Sequence, residues 1–191
     1  MASVVAADPT GVVELAERRT GVDWIVDWVA ASFGAGAITG VALLAPGPLA
    51  GLVDPLRAVA SRHQVRAPKG GKLQVPLLTL TPAQYAVACQ QLLGSLHDGS
   101  VAVVDSRGVF ESAVKQSRRR IASGGAAFTI ARKDDVSEAS ALVAVALGLY
   151  AAKNQGWAAE AVVAADESAA DADLAAMQAW YADEDDDGGW D

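Results

Sequence analysis

Apolar positions along the chain fall into short blocks whose spacing switches between two and three or four, the mark of strands alternating with helices. Val4 and Val5, then Val12, Val13 and Leu15, form two β-type runs around Asp8-Pro9-Thr10-Gly11, whose residue types suit a tight turn. A hairpin is predicted at the start of a sheet. Trp24, Ile25, Trp28, Val29 and Phe33 then share one helical face, with Asp23 or Thr20 as the cap and Gly34 and Gly36 as the stop. Residues 38–45 are almost wholly apolar, as expected of a strand buried on both faces.

Leu52, Val53, Leu56 and Val59 predict a second helix over about 49–62, followed by a basic loop at 66–72 and a strand over 73–80 interrupted by Pro76. Thr81-Pro82 places a capping residue before a proline at the first helical position, opening a third helix through Tyr85, Cys89 and Leu92. The alternation continues with a strand at 101–104, a helix over 109–120, a strand over 126–132 and an apolar helix over 137–153. This order predicts an α/β domain, a mixed sheet with helices on both faces. After Lys153 the composition turns to alanine and acid, with one short amphipathic segment at 174–181 and an acidic run at 183–187 expected to be mobile.

At 191 residues and 52% hydrophobic, the chain suits one globular domain, residues 1–153, with a tail, 154–191. No membrane span and no basic, apolar leader is evident, which predicts a soluble intracellular protein. With one cysteine, Cys89, and two distant histidines, His63 and His97, any metal must be held by carboxylates. The net charge of −8 is unevenly spread: residues 1–153 carry a net +3, and all 11 acids of 154–191 lie in a stretch without Lys or Arg. A mildly basic body is compatible with nucleic acid even though the overall pI is near 4.7.

The chemistry-bearing residues each have two readings. Glu138, Asp134 and Asp135 precede the last helix, where acids serve either as metal ligands or as favourable charges at a helix N-terminus. Lys115, Arg118, Arg119, Arg120, Arg132 and Lys133 could track a phosphate backbone, or solvate the end of a helix. Glu14 reads as a solvated strand residue, Asp105 as a turn residue, Trp24 and Trp28 as core anchors, and Cys89 as buried and inert. Lys69-Gly70-Gly71-Lys72 lacks the strand and helix context of a phosphate-binding loop, which disfavours an ATP-driven motor on this chain. The acidic tail reads as solubilising, with mimicry of nucleic acid on the basic surface as the other use.

Four phrases in order carry a resemblance: Val-Asp-Trp-Ile-Val-Asp-Trp at 22–28, Leu-Leu-Ala-Pro-Gly-Pro-Leu-Ala at 43–50, Thr-Pro-Ala-Gln-Tyr-Ala-Val-Ala-Cys at 81–89, and Glu-Ala-Ser-Ala-Leu-Val-Ala at 138–144. Over roughly residues 12–153 the chain resembles the C-terminal nuclease domain of the large terminase subunit of tailed bacteriophages, especially the actinobacterial-phage type. The resemblance implies a ribonuclease-H-like fold and metal-dependent cleavage of double-stranded DNA during viral packaging. It further implies Mg²⁺ or Mn²⁺ on acidic side chains, a terminase ATPase or portal protein as companion, and a place in the infected bacterial cytoplasm or the virion. Glu138, Asp135 and Asp8 become the candidate catalytic and metal-binding acids. The family's acid at the end of the buried strand aligns with Ala45, its closing-helix aspartate with Glu138, and its first-strand aspartate has no clear counterpart beyond Asp8, because the chain starts close to the second strand of the family pattern. Cleavage is therefore expected to be weak or lost; the alternative is a non-catalytic module docking to the packaging motor, portal or another virion protein.

Overall fold

The computed structural model describes residues 1–44, 47–66, 72–105, 107–121, 127–134, 137–155 and 160–165. The opening hairpin forms as expected from β1 (Ala2–Ala7) and β2 (Val12–Arg19). Asp8 closes its turn by accepting from the Thr10 N–H at 2.9 Å, Thr10 Oγ1 at 2.6 Å and the Val12 N–H at 3.0 Å. Gly11 is left-handed (φ +93°), and a Cβ there would overlap the carbonyl oxygen of Ser100, so both backbone shape and space require glycine.

α1 (Ile25–Gly34) buries Ile25, Val29 and Phe33, as the spacing predicts. Neither Asp23 nor Thr20 caps it: Trp24 is already helical, and the Ile25 N–H is taken by the Val22 carbonyl in a preceding turn. The apolar run at 38–45 yields a shorter strand, β3 (Val41–Leu44); Ala45 and Pro46 lie outside the described residues. A 3₁₀ turn (Ala50–Leu52) leads into α2 (Val53–Ala60). The predicted strand over 73–80 is split at Pro76, which has no N–H to give a ladder. β5 (Lys72–Gln74) pairs with β4 (Gln64–Arg66), and β6 (Leu77–Leu80) joins the main sheet.

α3 (Pro82–His97) opens with a reciprocal box in which the Gln84 N–H donates to Thr81 Oγ1 and the Thr81 N–H to Gln84 Oε1. After β7 (Ala102–Val104), α4 (Val109–Gln116) ends four residues before the predicted stop. Ser117 is extended (φ −100°, ψ 157°), and its hydroxyl takes the Ala113 carbonyl at 2.6 Å. The chain then forms β8 (Ser117–Ile121), antiparallel to β9 (Phe128–Arg132). The arginine cluster therefore stands on a two-stranded ribbon and not at a helix end. α5 (Ser140–Gln155) is buried nearly all round until Lys153, where its ammonium donates to Ser95 Oγ of α3 at 2.7 Å.

The tail departs furthest from expectation. Residues 160–165 form β10 (Glu160–Ala165), a central strand of the main sheet. The rest of the tail, with the predicted segment at 174–181, lies outside the described residues. The strand order is β6-β3-β10-β1-β2-β7. β1 runs antiparallel to both neighbours, β10 and β2, whereas β10, β3 and β6 are mutually parallel and β7 is parallel to β2. Side-chain alternation gives the sheet two apolar faces. Ala2 and Val4 of β1 with Val41 and Leu43 of β3 pack against α1 and α2. Val5 and Ala7 with Ala42 pack against α3, α4 and α5. The expected architecture, a mixed sheet with helices on both faces, is present.

Candidate functional site

Two features converge at one end of β1, an acid held by an arginine and a basic ribbon rising beside it. Ser3 pairs across the hairpin with Arg18 and shares a buried hydrogen bond with Ser140 at 2.9 Å, which ties this end of the sheet to the start of α5. Arg18 reaches from β2 to Glu138, with Nε donating to Oε1 at 3.1 Å and Nη2 donating to Oε2. Both carboxylate oxygens are thus engaged by one guanidinium fork. Ser140 Oγ adds a bond to Oε1 at 3.3 Å, and the Glu138 N–H donates to the Gln116 side-chain oxygen at 2.8 Å. Arg18, Gln116 and Glu138, together with Ser112 and the apolar Val109, Ala113 and Ala141, line a small cleft.

Gln116 links the cleft to the ribbon. It is the last residue of α4, its carbonyl accepts the Lys133 N–H at 2.9 Å, and β8 starts at the next residue. Arg118 and Arg120 alternate onto one face of β8, opposite Ala131 and Thr129. Arg119 turns to the other face and lies 5.0 Å over the Phe128 ring. Among the described residues no carboxylate pairs with Arg118 or Arg120. Lys115 is engaged by Glu111 at 2.6 Å one helical turn away, Arg132 closes β9 opposite Ser117, and Lys133 is exposed at the ribbon's base. The six predicted basic residues are thus gathered at one ribbon and its root.

The predicted acids are not gathered in the same way. Asp8 lies at the far end of β1, five residues beyond Ser3, roughly 16 Å at the rise of a strand. Its carboxylate is spent on the hairpin turn, and the Thr10 hydroxyl, followed by backbone N–H groups of the turn, lowers its pKa below the ordinary aspartate range. Asp135 lies outside the described residues, and Asp134 accepts from the Ser137 N–H and hydroxyl at 2.8 and 2.7 Å. Glu14 is exposed on β2, as expected. Asp105 accepts the Val109 and Glu111 N–H groups at 2.8 and 3.0 Å, a structural role at the start of α4. Trp24 and Trp28 pack on the α1 side of the core, and Cys89 is buried.

Glu17 neighbours the site without joining it: hydrogen bonds from Arg19 and from the Arg18 N–H lower its pKa. Among the described residues no three His, Cys, Asp or Glu side chains converge as a metal-binding group. Arg18 and β10 escaped the sequence reading. The only signal for Arg18 was a pair of arginines ending an alternating strand; for β10 it was Val162-Val163 within an alanine-rich stretch. No helix among the described residues is long and apolar enough to cross a membrane. No family model, curated protein or solved structure matches this chain.

Proposed function

We propose that this chain is a terminase-nuclease-like, ribonuclease-H-like domain that holds double-stranded DNA during viral packaging, with metal-dependent cleavage weak or lost. The observation that carries this reading is the pairing of both Glu138 oxygens with Arg18, directly beside the root of a ribbon bearing Arg118 and Arg120. A guanidinium there neutralises the acid that a divalent cation would otherwise use, while the ribbon offers cations for phosphate oxygens. A two-stranded ribbon is also of a size that the major groove of B-DNA admits. Support for the fold reading comes from the sheet: β10 lies beside β1 and antiparallel to it, at the centre of a mixed sheet.

The described residues do not fit a pair of divalent cations. Such a site needs several carboxylate oxygens around ions roughly 4 Å apart, whereas Glu138 is occupied and Asp8 sits at the opposite end of the strand. No chemical step is therefore assigned to Mg²⁺ or Mn²⁺.

A second reading, an active nuclease, is favoured by one feature. The last residue of β10, Ala165, pairs with Ala2, at the Glu138 end of β1, and the sequence continues Asp166-Glu167. Incubating the protein with supercoiled plasmid and Mn²⁺, alongside Glu138→Ala and Asp166→Ala variants, separates the two. The proposal expects retained duplex binding and little or no nicking in all three. Rapid nicking abolished by both substitutions would establish the active reading, and loss of duplex binding under low salt would remove the DNA reading altogether.

A further inference from the structure

The placement of β10 also fixes where the acidic tail leaves the domain. Residues 166–191 carry ten Asp/Glu and no Lys or Arg, and they continue from Ala165, which pairs with Ala2. From Ala2 a short relay leads to the basic ribbon. Ser3 is the next residue, Arg18 lies opposite it, Glu138 is bonded to Arg18, Gln116 is bonded to Glu138, and Arg118 is two residues further on. Each link is one contact or one strand spacing, so the path from the tail's root to the ribbon is on the order of 20 Å.

The tail's length suits that distance. Seventeen residues separate Ala165 from Asp183, where Asp-Glu-Asp-Asp-Asp begins. Even wound entirely as helix, at about 1.5 Å per residue, a segment of that length would cover about 25 Å, enough to bridge the path. A tether long enough to span the separation makes docking an intramolecular event, which lets a weak ionic contact form within the chain. The ribbon supplies the complementary charge, since Arg118 and Arg120 have no carboxylate partner among the described residues.

We propose that the acidic tail of this chain, through residues 183–187, docks on the Arg118/Arg120 face of the β8–β9 ribbon and competes there with duplex DNA. This regulation rests on the ribbon being the DNA-contacting surface, but the docking itself does not. The acidic run offers closely spaced carboxylates to the cations that would otherwise meet phosphates, and DNA displaces it by offering a denser line of charge.

The test compares the full chain, a chain ending at Ala182, and a full chain carrying Asp183→Asn, Glu184→Gln, Asp185→Asn, Asp186→Asn and Asp187→Asn. All three retain β10 and hence the sheet. Without DNA, amide chemical shifts of residues 117–121 are expected to differ between the full chain and both altered forms at low salt. Adding about 0.5 M NaCl should bring the spectra together, since screening then acts within a few ångströms. With a fluorescent duplex at low salt, the altered forms should bind on the order of tenfold more tightly than the full chain, within the usual range of intramolecular coupling. Superimposable shifts at low salt overturn the docking. Shifts that move without any gain in affinity, in a full chain that binds duplex, overturn the competition. If no form binds duplex DNA, the functional reading falls, while the shift comparison still decides whether the tail sits on the ribbon.

Discussion

Ending the chain at Gln155 tests whether β10 belongs to the fold or merely decorates it. β10 pairs at six positions with β1 and at three with β3, so its removal leaves two facing strands without partners in the middle of the sheet. At roughly one backbone hydrogen bond per pair and about 1 kcal/mol net for each, the loss is roughly 5–10 kcal/mol. Typical domains have only about 5–15 kcal/mol of stability in total. The loss also falls where the sheet is driest: Val4, Val5, Ala42 and Leu43 are 0% exposed in the folded chain. The chain ending at Gln155 should therefore lack a cooperative urea transition and self-associate through its open strand edges, whereas the chain ending at Ala165 should unfold like the full chain. Far-UV circular dichroism, tryptophan fluorescence and gel filtration report these outcomes. A chain ending at Gln155 that stays monomeric and unfolds at the full chain's urea midpoint would refute the central placement of β10.

Two further predictions concern single side chains. Arg18→Ala strands the Glu138 carboxylate, which is 19% exposed, and should cost about 1–3 kcal/mol in chemical denaturation; combined with Glu138→Ala, the double variant should fall short of additivity by about 1–2 kcal/mol, and strict additivity would dissolve the pair. Asp8 has a folded pKa below its unfolded value near 3.8, so the stability it contributes is fully present above that value and is lost as pH falls through the lower folded pKa. Asp8→Asn should accordingly flatten the fall in stability below about pH 4 relative to the parent chain, and an unchanged acid limb would show that the turn carboxylate carries no linkage.

Elements fixed by neighbouring residues were legible in the sequence. The Asp8 turn, the Thr81-Pro82 helix start, the break at Pro76 and the apolar helix ending near Lys153 each follow from local stereochemistry, and the structure carries all four. Features whose partners are distant were not. The arginine cluster invited a helical reading because Val109, Phe110 and Ala113 set a helical spacing; Ser117 ends it, and the pairing of Ile121 with Phe128 across the ribbon takes over. Glu138 stood out as an acid before a helix, but its partner, Arg18, lies 120 residues earlier. β10 was hidden by composition: a strand set between two others needs no alternating pattern, and its alanines and its glutamate match the residue types of the tail that follows.

The central position of β10 also sets the order in which the molecule can assemble. Ala2 meets Ala165, so the innermost ladder joins segments 163 residues apart, while the hairpin of β1 and β2 closes through a turn of a few residues. Pairings of such separation are slow, because the entropy of closing the long loop is lost before any contact rewards it. An early species with the hairpin formed and its inner edge still bare is the expected kinetic intermediate, and refolding yield should fall as protein concentration rises.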